Sequence, residues 1–556
     1  MLKSIMSKEA LKNAVRSVKA LISKESLKNK ARFLRAGFSK GPFSNTLRLA
    51  KANIARESLI IGHNLRLLRA IIAKEFLNNI LNLRFMIGLV LCLLVTIACI
   101  IILSHDYQQE MKDHNTRVNL QEEFLSKYSH RGWLFRLIPG QKPPERFRPL
   151  IISIAGSDGR NSIDDNPLPV LFPHLDFLFI VTIIMSLMAL LFSYDAVTGE
   201  RQRGTLRQMI SNSISRTTIL FGKFIGGTAS LLIPFVLALL VGVLCINLNP
   251  NIRWDGSAWA ELGLLTAASV TFIMLFYLLG LMISAFSRYS GVSILNCLFL
   301  WVLLILVIPN VCPYVSAQLR RIPSVRATER RTAEIERACW KARRQRRREV
   351  VDQFRTDYGR LFSEFEASGF GRILDDEIGD REKVEELAAA DPQFKAMVDA
   401  FRRELDRVRS ESRQTEHEAT AKLWEDLNTK AAAQTRLAKK LACISPFANF
   451  VYVARDLTGT GLRSLEYFEQ FRDEYRKRFW RYAWKVEEAA EAAHKDEPSP
   501  PGGLFLDLRD HPRFVFKEEA LKSKLKVVMP YWGILVAFNV VFFVAAFAGF
   551  MRYDVR

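Results

Sequence analysis

The residues best equipped for chemistry in this chain are charged side chains crowded into one short connector. Asp195, Glu200, Arg201, Arg203, Arg207 and Arg216 lie between two apolar runs, Leu175–Phe192 and Phe224–Val243. Carboxylates and guanidinium groups at that density make charge-assisted hydrogen bonds, the chemistry of a contact surface. A reaction centre is not evident. The sequence has no G-x-x-x-x-G-K-[ST] to cradle nucleotide phosphates, no H-E-x-x-H and no G-x-S-x-G. Thr458-Gly459-Thr460-Gly461 lacks the phosphate-binding lysine. The seven cysteines show neither zinc nor redox spacing, and spacing alone does not establish a Cys339–Cys443 disulfide, although both residues are expected outside the cytoplasm. The eight histidines are scattered, with His105, His114 and His130 in one loop as a weak metal candidate.

Six apolar runs must position that connector: Phe85–Leu103, Leu175–Phe192, Phe224–Val243, Leu262–Phe286, Val292–Pro309 and Val527–Phe550. Each has the length of a bilayer crossing, about 18 residues or more. Any one alone could be a buried core helix, but six make a soluble protein untenable. Their interiors carry almost no ionisable residues, which argues against a gradient-driven carrier and for an external energy source. Arginine in a short loop marks the cytoplasmic side. The connector is therefore expected inside, with both termini cytoplasmic. The formal net charge of +22 could indicate nucleic acid, but no nucleic-acid motif accompanies it. Basic residues gather near the apolar runs, so anionic membrane lipids are the expected partner and nucleic acid is not.

Within the connector, Gly204-Thr205 precedes a helical pattern, and Leu206, Met209 and Ile210 share one face. Ser211-Asn212-Ser213 ends it. A short amphipathic helix pinned between two spans suits either a groove on a soluble partner or the lipid headgroups.

Asp195-Ala196-Val197-Thr198-Gly199-Glu200-Arg201, Gly204-Thr205-Leu206, Ser215-Arg216 and Gly222-Lys223 resemble the signature loop of ABC-2-type transporter permeases, of the group tied to copper-enzyme maturation and gliding motility. Weaker echoes recur at Trp301–Asn310 and Ile444–Gly461. The resemblance implies an all-α integral membrane protein with six transmembrane helices and a large helical extracytoplasmic domain between the fifth and sixth. It implies an exporter permease in a bacterial-type inner membrane, paired as a homodimer or heterodimer with a second permease and driven by a separate ABC ATPase subunit. No cofactor is expected on this chain; ATP and Mg belong to that ATPase. The coupling site implied is Asp195, Gly199, Glu200, Arg201, Gly204, Thr205, Leu206, Met209, Ile210 and Arg216. Glu200 and Arg201 are its polar contacts, and Leu206, Met209 and Ile210 fill the ATPase cleft. The alternative is a mechanical relay from the ATPase to an extracytoplasmic partner through residues 310–526.

Residues 1–72 carry tandem copies of one basic, amphipathic unit: SKEALKN at Ser7, SKESLKN at Ser23, SKGPFSN at Ser39 and ARESLII at Ala55. A further copy, AKEFLNN at Ala73, enters the elbow helix and first span, 73–103. The copies read as basic helices on the cytoplasmic leaflet or packed beside the elbow, or as a disordered basic tail, and a transit peptide stays open. A cleavable signal is disfavoured, since no apolar core precedes Phe85. Residues 104–174 are expected as a first external loop, 175–309 as spans two to five with the connector 193–223, 310–526 as one external helical domain, and 527–556 as the last span and tail. In that domain, Glu334, Ile335 and Cys339, then Val350, Val351 and Phe354, form one stripe, expected to face a second, Phe394, Met397, Val398, Phe401, Leu405 and Val408, as a helical hairpin. Arg343, Arg344, Arg346, Arg347 and Arg348 form a solvated basic face there.

Overall fold

The computed structural model describes residues 65–127, 140–153, 175–211, 214–247, 254–367, 381–493 and 506–552. The upstream repeat copies and the Asn212-Ser213 breaker lie outside those residues. The described chain is helical, and six of its helices are long and apolar enough to cross a membrane. It forms two compact units, one of residues up to Pro309 with those from Ala442, the other Asn310–Leu441.

The first unit begins with α1, residues 65–80, followed by α2, Leu83–Lys127. At 1.5 Å per residue, α2 is about 68 Å long, twice a hydrocarbon core of about 30 Å. The helix expected to leave the membrane near Ser104 therefore continues as helix. Its far end buries Leu125 beside Tyr475, Phe479 and Leu508. Span α3 starts at Phe177, where the Asp176 carboxylate accepts from Phe179 N, and runs through a π turn, Ile180–Met185, to Ser193. Two short helices follow, α4 (Thr198–Gln202) and α5 (Thr205–Ser211). Spans α6 (Arg216–Asn247), α7 (Gly256–Phe286) and α8 (Ser290–Leu319) come next. Helices α9 to α11 belong mainly to the second unit. The chain then returns through α12 (Pro446–Thr458), α13 (Leu462–Ala493) and the last span, α14 (Leu521–Met551).

Span α7 lies at the centre of this unit. Leu265, Phe272, Phe276, Leu279 and Leu281 are fully or almost fully buried, packed with α3, α6, α12 and α14. Helix α12 is part of that core: Phe450 stacks on Phe272 with centroids 4.8 Å apart, and Val453, Ala454 and Leu457 are buried. Ser445 caps it, accepting from Ala448 N, and Pro446 occupies its first turn. Gly459 ends it at φ 72°, a left-handed position that favours glycine. The segment expected as one domain over 310–526 is thus divided. Residues beyond 441 pack with the spans because their apolar face has a partner there.

The second unit holds α9 (Val325–Ala367), α10 (Arg381–Ala390) and α11 (Pro392–Ala442). Its core joins Val350, Phe362 and Phe365 to Phe394, Met397, Val398 and Phe401. Phe354 meets Phe401 edge-on at 5.1 Å, while Phe365 meets Phe394 at 6.1 Å. Those pairings run in opposite chain directions, so the helices form the antiparallel hairpin expected from their stripes. Ile335 and Cys339 are only half-buried. No disulfide joins Cys339 to Cys443.

Candidate functional site: a clamped loop above a buried lysine

The loop between α3 and α6 is held from several sides. Gly204 sits between α4 and α5 at φ 74°, a conformation costly for a side-chain-bearing residue. Ser284 of α7 accepts from Val197 N at 3.0 Å and Thr198 N at 3.1 Å. From α8, Ser293 donates to Tyr194 O at 2.7 Å and Ser290 to Gln202 Oε1 at 2.9 Å. From α2, Arg84 reaches Asp195 Oδ2 at 3.4 Å and lies over the Tyr194 ring. Arg216, opening α6, donates to Met551 O at the end of α14 at 2.7 Å. Four other spans thus hold the loop between α3 and α6.

Beneath it lies a buried charge network. The Lys223 ammonium on α6 is 1% exposed and is 2.9 Å from both Glu75 Oε1 of α1 and Glu200 Oε2 of α4. Lys74 of α1 donates to the other Glu200 oxygen at 2.9 Å. One lysine therefore joins the elbow-like helix, the loop and a span. Close packing makes the network accessible. A Cβ on Gly222 would sit 2.5 Å from Ile71 Cγ2, and one on Gly226 would sit 2.8 Å from Ile72 O, so α1 lies directly on the glycine face of α6. One on Gly227 would sit 2.0 Å from the Tyr277 hydroxyl, which donates to Lys223 O at 3.0 Å. Burying such charges is costly unless each is paired, and here the lysine and both carboxylates lie within 2.9 Å of an opposite charge.

Residues 69–555 match the profile of the ABC-2 family transporter proteins. The chain belongs to the ABC-2 transporter family. Two relatives are both named probable ABC transporter permease protein NosY. One, from Stutzerimonas stutzeri, is 37% identical over 108 residues, 19% of this chain and 37% of the relative. The other, from Pseudomonas aeruginosa, is 31% identical over 122 residues, 22% of this chain and 36% of the relative. The chain thus spans just over a third of the length of these curated relatives.

In this multi-pass ABC-2 family protein, the loop residues divide into inner and outer sets. Glu200 is 6% exposed and Leu206 is fully buried. Met209 and Ile210 are half-buried against the same core. Of the apolar face expected to enter a partner's cleft, Leu206 is covered by the protein's own spans and Met209 and Ile210 are partly covered by them. Glu200, expected as an outward contact, is turned in by two lysines. Asp195 and Arg216 are half-exposed and tied to Arg84 and Met551. Gly199 is also half-exposed and approaches Arg203, whose Nε donates to Gly199 O at 3.1 Å. Outward lie Gln202, Arg203, Gly204, Thr205, Arg207 and Gln208, with Arg201 half-exposed. The residues missed from sequence are Lys74, Glu75, Lys223, Ser284 and Tyr277. Gly222-Lys223 stood in the signature and Lys74-Glu75 in the repeat, but only folding brings them together.

A second buried charge pair lies near the starts of α7 and α14. Lys524 donates to Glu261 Oε1 at 2.7 Å and to Leu457 O at 3.1 Å. Arg146 bridges Asp255 and Glu518 at 2.7 Å each, and Arg463 binds Glu519 at 2.5 Å. Burial pushes the Glu519 carboxyl up, but hydrogen bonds from Arg463 and Ser523 outweigh it and hold it below the ordinary value. Arg463, Glu518, Glu519 and Lys524 line a cavity of about 40 Å³, sufficient for a water. Spans read as nearly free of ionisable groups thus carry buried, paired ones near their ends.

Proposed function

We propose that this chain is the membrane permease subunit of an ATP-driven exporter, and that the exposed face of the 193–216 loop docks on a separate ATPase subunit. The observation that carries this reading is the loop's division. Its outer face presents Arg203, Thr205, Arg207 and Gln208, while Glu200 and Leu206 lock it to the spans. A partner pushing on that face moves a rigid plate linked to α1, α2, α6, α7 and α8. Membership in the ABC-2 family and the permease names of its relatives support the reading. ATP and Mg are then held by the ATPase, and a second permease, identical or related, completes the pathway. The loop and both termini face the cytoplasm, in a bacterial-type inner membrane. Anionic lipids meet the basic segments flanking the spans. Leu206, Met209 and Ile210 act here as the loop's anchor rather than as the partner's contact.

Charge reversal separates contact from scaffold. Arg203→Glu with Arg207→Glu should abolish copurification of the ABC ATPase partner while leaving thermal stability unchanged. Undiminished copurification and transport would reject the docking face. The mechanical-relay alternative draws on the hairpin of the second unit. Retained ATPase activation but lost function on deleting residues 325–441 would favour it.

A further inference from the structure

The surface of α6 that receives α1 is a socket with definite requirements. Gly222 accepts Leu68 and Ile71, and Gly226 accepts Ile72 and Glu75. Lys223 needs the Glu75 carboxylate and Glu200 takes Lys74. Ser230 accepts from Asn79 Nδ2 at 3.1 Å. The occupant is therefore read as Leu-x-x-Ile-Ile-x-Lys-Glu-x-x-x-Asn.

That pattern occurs again upstream. Fifty residues before α1, Val18, Leu21, Ile22, Lys24, Glu25 and Asn29 stand at the same relative positions. Sixteen residues further back, Leu2, Ile5, Met6, Lys8, Glu9 and Asn13 do so again. The two intervening copies do not keep it. One places Gly37 and Gly41 where Ile71 and Glu75 stand, and the other places Asn53 and Ile61 where Ile71 and Asn79 stand. Tandem duplication explains a shared ancestry, but it does not explain why two copies keep the lysine, the carboxylate and the asparagine, and an apolar side chain at each of the other three positions the socket touches. Both precede the described residues; the socket they fit is described.

We propose that residues 14–29 are a second ligand for the α6 socket and exchange with residues 64–79 within one chain, residues 2–13 being a third by the same contacts. Exchange is feasible because the incoming copy restores what the outgoing one removes. Lys223 regains a carboxylate, Glu200 a lysine and Gly222 an apolar side chain, so no charge remains buried and unpaired. The consequence is mechanical. α1 is joined to α2 through residues 81–82, whereas the upstream copy is not, so exchange keeps the loop locked to α6 while removing the link that α1 makes between that lock and the first span.

Cysteine trapping tests this in the full-length protein in native membranes, with linked peptides identified by mass spectrometry. Asn79→Cys with Ser230→Cys should link nearly completely. Asn29→Cys with Ser230→Cys should link several-fold more than Asn45→Cys with Ser230→Cys, whose copy lacks the carboxylate. Adding Glu25→Lys should reduce the Asn29 pair to the Asn45 level. An Asn29 yield no higher than that of Asn45, or one indifferent to Glu25→Lys, overturns the exchange. A link found only between differently tagged copies overturns its single-chain form, and failure of the Asn79 pair removes the socket itself. None of these readouts depends on ATPase docking.

Discussion

Replacing Lys223 by methionine tests whether the buried network organises the loop. The side chain keeps similar length, so the cavity contribution is small and the change is chiefly one of charge. Glu75 loses its lysine, and Glu200 keeps only Lys74, which is 52% exposed and screened. Breaking a buried pair by removing one partner costs about 3–5 kcal/mol, because a carboxylate is left buried without compensation. Most of that should appear in Lys223→Met, whereas Lys74→Ala should cost about 1 kcal/mol or less, as solvent-exposed pairs do. The triple variant Lys223→Met, Glu75→Gln, Glu200→Gln removes every charge of the buried set and should recover most of the loss. Thermal unfolding of the detergent-solubilised protein measures all three, and proteolysis between α3 and α6 reports loosening of the loop directly. A Lys223→Met protein as stable as the parent, or a triple variant no better than the single one, would refute the network as the organiser.

Four other outcomes follow from the same coordinates. Gly226→Val should destabilise by about 1–3 kcal/mol through overpacking, since even its first carbon meets backbone, Ile72 O, at 2.8 Å; unfolding midpoints check it. Arg203→Glu with Arg207→Glu should leave that midpoint unchanged and remove ATPase association. Acidification should weaken the Arg463–Glu519 contact. Its carboxyl lies below the ordinary 4.5, so its stabilisation is complete above that value and lost as pH falls through the lower, folded-state value. Glu519→Gln should flatten the melting-temperature profile in that acidic window. Lys524→Met should destabilise more than Arg146→Ala, because Glu261 is 5% exposed whereas Asp255 and Glu518 are 57% and 36% exposed.

Six crossings, an all-helical fold and the position of the loop were legible in the sequence because length and apolar content decide whether a helix suits a bilayer, and both are local properties. The α5 helix was legible for the same reason: Gly204 and the spacing of Leu206, Met209 and Ile210 are local. The stripe from Phe394 to Val408 predicted its own burial.

Direction was not legible. An apolar face at 206, 209 and 210 reads identically whether it meets a partner protein or its own spans, and tertiary packing turned it inward. Glu200 reads as an exposed charge until Lys223 and Lys74 are brought to it from distant parts of the chain. The same limit hid the division at residue 441, since α12 joins the spans through Phe450 and Leu457 rather than through any change in composition. Periodicity reports that a face must be covered. Only the folded chain reports what covers it, because burial is a property of two surfaces and a sequence displays them one at a time.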